Sequence, residues 1–240
     1  MNKLENIKGI IFDYGGTIDT NSMHWAEVLW LQYQKHGVPV SKEDFREAYV
    51  FGERTLAKYP FIQVYHNFHD ILTIKLKLHM EFLALHRHLP MDEALLLRYA
   101  TLVADSSYQY VLDVMKVTRP VVEELSRRFK LVLVSNFYGN IETILDDFGL
   151  SGYFSSIVES AVVGIRKPDP AIYQLGVDRM GFPPANVAVV GDSFSKDVVP
   201  AKKVGCQMVW LKGIGWGNEV IDESLPDRII TSLSQLPALF

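Results

Sequence analysis

The chain has 240 residues, of which 48% are hydrophobic, and carries a formal net charge of -4. That apolar share is enough to bury a core in one large domain or two small ones, which excludes a disordered chain. The faintly acidic balance offers no cluster of Lys and Arg to displace counterions, so neither nucleic acid nor an acidic membrane is an expected partner.

In chain order, the first element is a short apolar strand at residues 9–12, closed by Asp13 and the turn formers Gly15 and Gly16. Residues 21–114 then break the pattern, with long amphipathic stretches at 69–85 and 92–114 and almost no strand signal. All seven histidines fall there, where a histidine on a helix is more often solvated than catalytic. A helix follows at 120–128, with Pro120 read as its first turn, then a strand at 131–134 and a helix at 141–148. A weaker strand at 156–158, a helix at 171–180, a strand at 187–190, a helix at 198–204 and a strand at 208–211 complete the series.

Alternation of this kind implies right-handed crossovers and a parallel sheet, with functional groups where the strands end. The expected fold is therefore α/β: a Rossmann-like parallel sheet formed by residues 1–20 and 115–240, interrupted by a helical domain at 21–114. The two linkers are expected near Thr20 and Lys116. Cys206, the only cysteine, lies in an apolar run and reads as a buried thiol, which fits a reducing compartment. The N-terminal apolar run is a strand, and no stretch approaches the roughly 20 apolar residues of a membrane span, so a cytoplasmic location is expected.

Four motifs carry chemistry. IIFDYGGTID delivers Asp13 to a strand tip, where a carboxylate can act as nucleophile, and its glycines let the backbone approach a ligand. LVLVSN ends in Ser135 and Asn136, short side chains that can donate to a phosphoryl oxygen. GIRKPDP places Lys167 just before Pro168 and Pro170, in a rigid loop where an ammonium can offset the charge of a nucleophile and an anionic substrate. VAVVGDSFSKD ends a buried strand in Asp192 and then Asp197, an acidic pair suited to a hard cation such as Mg2+. Taken singly, each also reads as an ordinary cap, turn or surface residue.

Together and in this order the four motifs resemble the haloacid dehalogenase-like hydrolase superfamily, most of whose members are phosphatases, and the resemblance covers the whole chain. It implies a magnesium-dependent hydrolase acting on a small phosphorylated metabolite through an aspartyl-phosphate. On that resemblance Asp13 is the nucleophile, Thr17 orients it, and Ser135 with Lys167 grips the phosphate, with Gly16 and Asn136 also facing the substrate. The metal falls to Asp13, the Gly15 carbonyl, Asp192 and Asp197. The insertion resembles the helical caps that close over such sites, and Gly52, Glu53 and Arg54 in YVFGERT are candidates for a cap loop facing the substrate.

The sequence departs from the family at Gly15, where phosphatases of the superfamily usually carry a second aspartate as general acid and base. Three readings stay open. The proton donor comes from elsewhere, such as Asp19, His24 or a cap residue, or the leaving group needs none. Alternatively, the enzyme cleaves a carbon–phosphorus bond as phosphonoacetaldehyde hydrolases do, which requires a cap lysine such as Lys58, Lys75 or Lys77 to form a Schiff base. In the third reading the chain binds phosphorylated ligands without turnover. Haloalkanoate dehalogenation, which dispenses with a metal, fits the acidic GDSFSKD pair less well.

Overall fold

A computed structural model of the protein describes residues 4–214 and 221–240. Strands β1 (Gly9–Phe12), β2 (Lys130–Ser135), β3 (Ser156–Glu159), β4 (Val187–Gly191), β5 (Gln207–Leu211) and β6 (Arg228–Ile230) form one sheet in the order β3-β2-β1-β4-β5-β6. Every pairing is parallel. The runs GIIF and VAVVG are buried throughout because helices cover both faces, which is why they read as continuous apolar stretches instead of alternating ones. β6 has three residues at the sheet edge, too short to show a period in sequence.

The first crossover is the insertion. Helices α1 (Trp25–Lys35), α2 (Lys42–Lys58), α3 (Phe68–Leu85) and α4 (Glu93–Ser126) follow β1 before the chain returns to β2. Side-chain caps fix where all four start: His24 accepts from Ala26 N, Ser41 and Asn67 each form a capping box with the aspartate three residues on, and Asp92 accepts from Leu95 N. The helices pack on one another through buried Phe45, Leu72, Leu76, Met80, Val103 and Val111.

The second linker, expected near Lys116, is absent. α4 runs unbroken for 34 residues, about 51 Å at 1.5 Å per residue, and carries the chain from the insertion to the sheet. Pro120 sits inside it and does not begin a new helix. A proline removes one backbone donor, and the buried residues Val121, Val122 and Leu125 beyond it keep the last turns packed.

Beyond β2 come α5 (Ile141–Asp147), the single turn α6 (Ser160–Val163), α7 (Ala171–Met180) and α8 (Val199–Val204), the last preceded by a π-helical turn at Phe194–Val198. α7 lies close on the sheet at Gly176, where an added Cβ would meet Val134 Cγ2 at 2.8 Å and Ile11 Cδ1 at 3.0 Å. Cys206 is buried as expected, and burial pushes its thiol up to about 12. No helix among the described residues is long and apolar enough to cross a membrane.

Because the contact at Gly176 has no slack, Gly176→Val is expected to cost about 1–3 kcal/mol through overpacking. Urea denaturation measures this, and an unchanged midpoint would contradict the close helix–sheet packing.

Candidate active site

β1 and β4 are neighbours, and the chain leaves them in opposite directions across the sheet: from β1 toward β2 and β3, from β4 toward β5 and β6. A crevice opens at such a switch point, at the carboxyl ends of the strands. Phe12 is in register with Leu133 on one side and Val190 on the other, so Asp13, Ser135 and Asp192 emerge at one edge. All three line a cavity of about 210 Å³ roofed by the insertion, together with Lys167 and Asp197.

Lys167 ties this cluster together. Its Nζ lies 2.5 Å from Asp13 Oδ1 and 2.8 Å from Asp197 Oδ1, with all three groups buried. Burial alone would lower its basicity, but the two aspartates outweigh this and hold the ammonium above the ordinary lysine range. Thr17 Oγ1 donates to Asp13 Oδ2 at 2.9 Å and is 3.3 Å from Asp192 Oδ1, so both oxygens of Asp13 are held. Burial lifts the Asp13 carboxyl to about 6, with Lys167 limiting the rise. Asp192 is raised well above the usual carboxylate range by burial and by Asp13 and Asp197.

Asp197 is fully engaged. Its Oδ1 accepts from Lys167 and from Tyr173 OH at 2.6 Å, and its Oδ2 from the backbone N–H of Ser193 at 2.9 Å. It therefore braces the lysine at least as much as it faces the cavity. Tyr173 on α7 completes this brace but lies in an apolar helical pattern, six residues past Lys167, where nothing distinguishes it from a core tyrosine.

Gly16 has φ +93°, and a Cβ there would lie 2.4 Å from Asp192 Oδ2, so only glycine lets the loop pass that carboxylate. Gly15 differs. Its φ is not positive, and an added Cβ would meet nothing nearer than Asp19 Oδ2 at 4.0 Å. Neither backbone shape nor space requires glycine at position 15.

Asn136 lines the cavity and also anchors the lysine loop. Its Nδ2 donates to the Lys167 carbonyl at 3.1 Å, and its Oδ1 accepts from Lys167 N–H at 2.9 Å, so both ends of the amide fix the lysine loop. YVFGERT is not a loop either, since it lies wholly within α2. Gly52 is buried against His79, whose ring a Cβ would meet at 2.6 Å, and Arg54 is exposed; neither lines the cavity. On a helix only one residue of three consecutive ones faces a given side, and here that residue is Glu53.

Of the proposed proton donors, Asp19 and His24 both line the cavity. Asp19 is buried, accepts from Gly16 N at 2.7 Å and from Trp25 Nε1 at 2.8 Å, and is lifted by burial to about 7. His24 Nδ1 accepts from Ala26 N at the start of α1, which leaves the ring proton on Nε2. Burial lowers its pKa to about 4, so the ring is neutral at pH 7.

The chain matches the family described as haloacid dehalogenase-like hydrolase over residues 7–205. Haloacid dehalogenase-like hydrolase domain-containing protein 3 of Danio rerio is 37% identical over 106 residues, covering 44% of this chain and 43% of that protein. The chain thus spans under half the length of that relative. Phosphoglycolate phosphatase of Shigella boydii is 28% identical over 257 residues, covering 100% of this chain and 95% of that protein. In fold, the chain is similar to the HAD-hydrolase YfnB from Bacillus subtilis bound to magnesium, with a TM-score of 0.60 at 17% identity over 98% of this chain and 99% of that one. It is also similar to a 2-haloacid dehalogenase from Pseudomonas syringae, with a TM-score of 0.51 at 23% identity over 97% of each chain. With its family match, its six-stranded parallel sheet and its helical insertion, the chain belongs to the haloacid dehalogenase-like hydrolases.

Proposed function

We propose that this protein is a magnesium-dependent phosphatase of small phosphorylated metabolites, working through an aspartyl-phosphate on Asp13. The observation that carries this reading is the Lys167 ammonium, shared between Asp13 and Asp197 at the strand ends beside Asp192. Asp13 and Lys167 supply a buried carboxylate nucleophile and a cation for the developing charge. With Thr17 on one oxygen and Lys167 on the other, Asp13 is held in one orientation, and Lys167 keeps it largely ionised at neutral pH against the effect of burial. Ser135, at the end of β2 on the cavity wall, would donate to a phosphoryl oxygen.

The donor set fits a hard divalent cation. Asp13, Asp192 and Asp197 offer oxygens within 4.8 Å of one another, and three carboxylates against one ammonium leave an excess of two negative charges. Asp13, Asp192 and the Gly15 carbonyl would hold Mg2+, with Asp197 at its side. When bound, the ion would polarise the phosphoryl oxygens and neutralise charge.

For carbon–phosphorus cleavage the structure offers one cap lysine on the cavity wall, Lys75. Burial works against its charge, but Glu53 at 2.6 Å more than offsets this and holds the amine protonated, whereas a Schiff base needs the free amine. Lys58 and Lys77 are exposed and line other cavities.

Magnesium-supplemented protein is expected to release inorganic phosphate from acetyl phosphate and p-nitrophenyl phosphate. EDTA or Asp13→Asn should lower kcat at least 1,000-fold, and turnover that survives both would contradict the mechanism. A second expectation concerns the bare position 15. Wild-type protein should favour acyl and aryl phosphates, whose leaving groups need no proton, over alkyl phosphates. Gly15→Asp should raise kcat on an alkyl phosphate about 10-fold or more, within the range general acid catalysis supplies. Equal rates on all three ester types, with no gain in the variant, would show that the proton already has a donor.

A further inference from the structure

The cavity has an aromatic and aliphatic roof, with Trp25, Tyr49, Phe68 and Leu72 from the insertion and Phe137 from the loop after β2. Three polar groups interrupt it. Lys75 Nζ of α3 lies 2.6 Å from Glu53 Oε1 of α2, Tyr138 OH donates to Glu53 Oε2 at 3.3 Å, and the lysine sits 6.0 Å from the centre of the Tyr138 ring. Lys75 is buried and Glu53 half-buried.

Stability does not account for this pair. Withdrawing two opposite charges from water costs about as much as their attraction returns, and an apolar pair of the same size often does as well. The pair joins α2 to α3, and both of its side chains line the cavity. In a binding cavity with apolar walls, a few placed polar groups set orientation and selectivity. Among the described residues, Glu53 and Lys75 are the only wall groups from the insertion that carry full charge, since His24 is neutral.

We propose that Glu53, Lys75 and Tyr138 form the leaving-group subsite, and that it selects phosphate monoesters whose leaving group is small, uncharged and hydroxylated. This rests on the phosphatase reading above. A hydroxyl both donates and accepts, so it bridges the Glu53 carboxylate and the Lys75 ammonium at once. A second anionic group on the substrate meets a pair of zero net charge, and what it gains from Lys75 it loses to Glu53. Of the other wall cations, Lys167 is committed to Asp13 and Asp197, and Arg166 and Lys196 are exposed, so water weakens their pull on an anion relative to that of the buried Lys75. At about 210 Å³ the cavity is smaller than the roughly 300 Å³ at which ordinary ligand pockets begin, which favours a compact leaving group.

The test is kcat/KM of the magnesium-supplemented full chain on glycerol phosphate, phosphoglycolate and p-nitrophenyl phosphate. Wild-type protein should prefer glycerol phosphate to phosphoglycolate by about 10-fold or more. Glu53→Gln, which leaves Lys75 unopposed, should shift that ratio toward phosphoglycolate by about 10-fold, a selective change that loss of packing alone would not produce. The double variant Glu53→Gln with Lys75→Gln has no buried charge to misfold around, and should lower the ratio of glycerol phosphate to p-nitrophenyl phosphate by 10-fold or more. A wild-type preference for phosphoglycolate, or variants that change all three esters by the same factor, would overturn the subsite while leaving the phosphatase reading intact. No turnover of any of the three would overturn the phosphatase reading and the subsite with it.

Discussion

The Lys167 ammonium, enclosed between the carboxylates of Asp13 and Asp197, is the contact on which the rest of the site depends. A buried lysine needs charge partners, and a buried aspartate needs donors; here each satisfies the other. Removing one partner of a buried pair leaves an uncompensated charge and typically costs about 3–5 kcal/mol. The neighbouring structure is built around keeping that contact. Asn136 holds the Lys167 backbone from both sides, Tyr173 and the Ser193 amide hold Asp197, and Thr17 holds the far oxygen of Asp13. Gly191 is bare because Asp197 lies where its Cβ would be, 2.6 Å away.

One lysine does not balance the cluster. Asp13 and Asp192 are lifted above the usual carboxylate range because burial leaves little else to carry their charge. Negative charge is thus disfavoured at the strand ends in a way that a divalent cation would relieve, while the insertion above contributes a pair that is already neutral, Glu53 with Lys75. The two halves of the cavity differ in electrostatic character: the floor is charged and suited to a phosphoryl group, and the roof is aromatic with one dipolar spot.

The sheet and the floor of the site were legible in sequence because parallel strands buried on both faces leave continuous apolar runs, and each run is followed by a residue that lines the cavity: Asp13, Ser135 or Asp192. The roof was much less legible. Helix periodicity showed that α3 and α4 exist, but it could not say which of Gly52, Glu53 and Arg54 turns inward, since that depends on how α2 rotates against α3. Gly52 looked functional and instead gives room to His79. Pro120 looked like a helix start and lies inside one, because burial beyond it outweighs the lost hydrogen bond. Asn136 has a further role that sequence did not show: its amide holds Lys167, a partner 31 residues away that no local pattern announces. Tyr138 and Tyr173 carried no motif signal at all.

The central claim is that Asp13 becomes covalently phosphorylated while Lys167 and Thr17 hold it. Acid-quenching the magnesium-loaded protein during turnover of acetyl phosphate, followed by peptide mass spectrometry, tests this most directly. The account predicts a phosphoryl group on the peptide containing Asp13, absent from Asp13→Asn. Steady turnover with that peptide unmodified, or with the label on another residue, would contradict it.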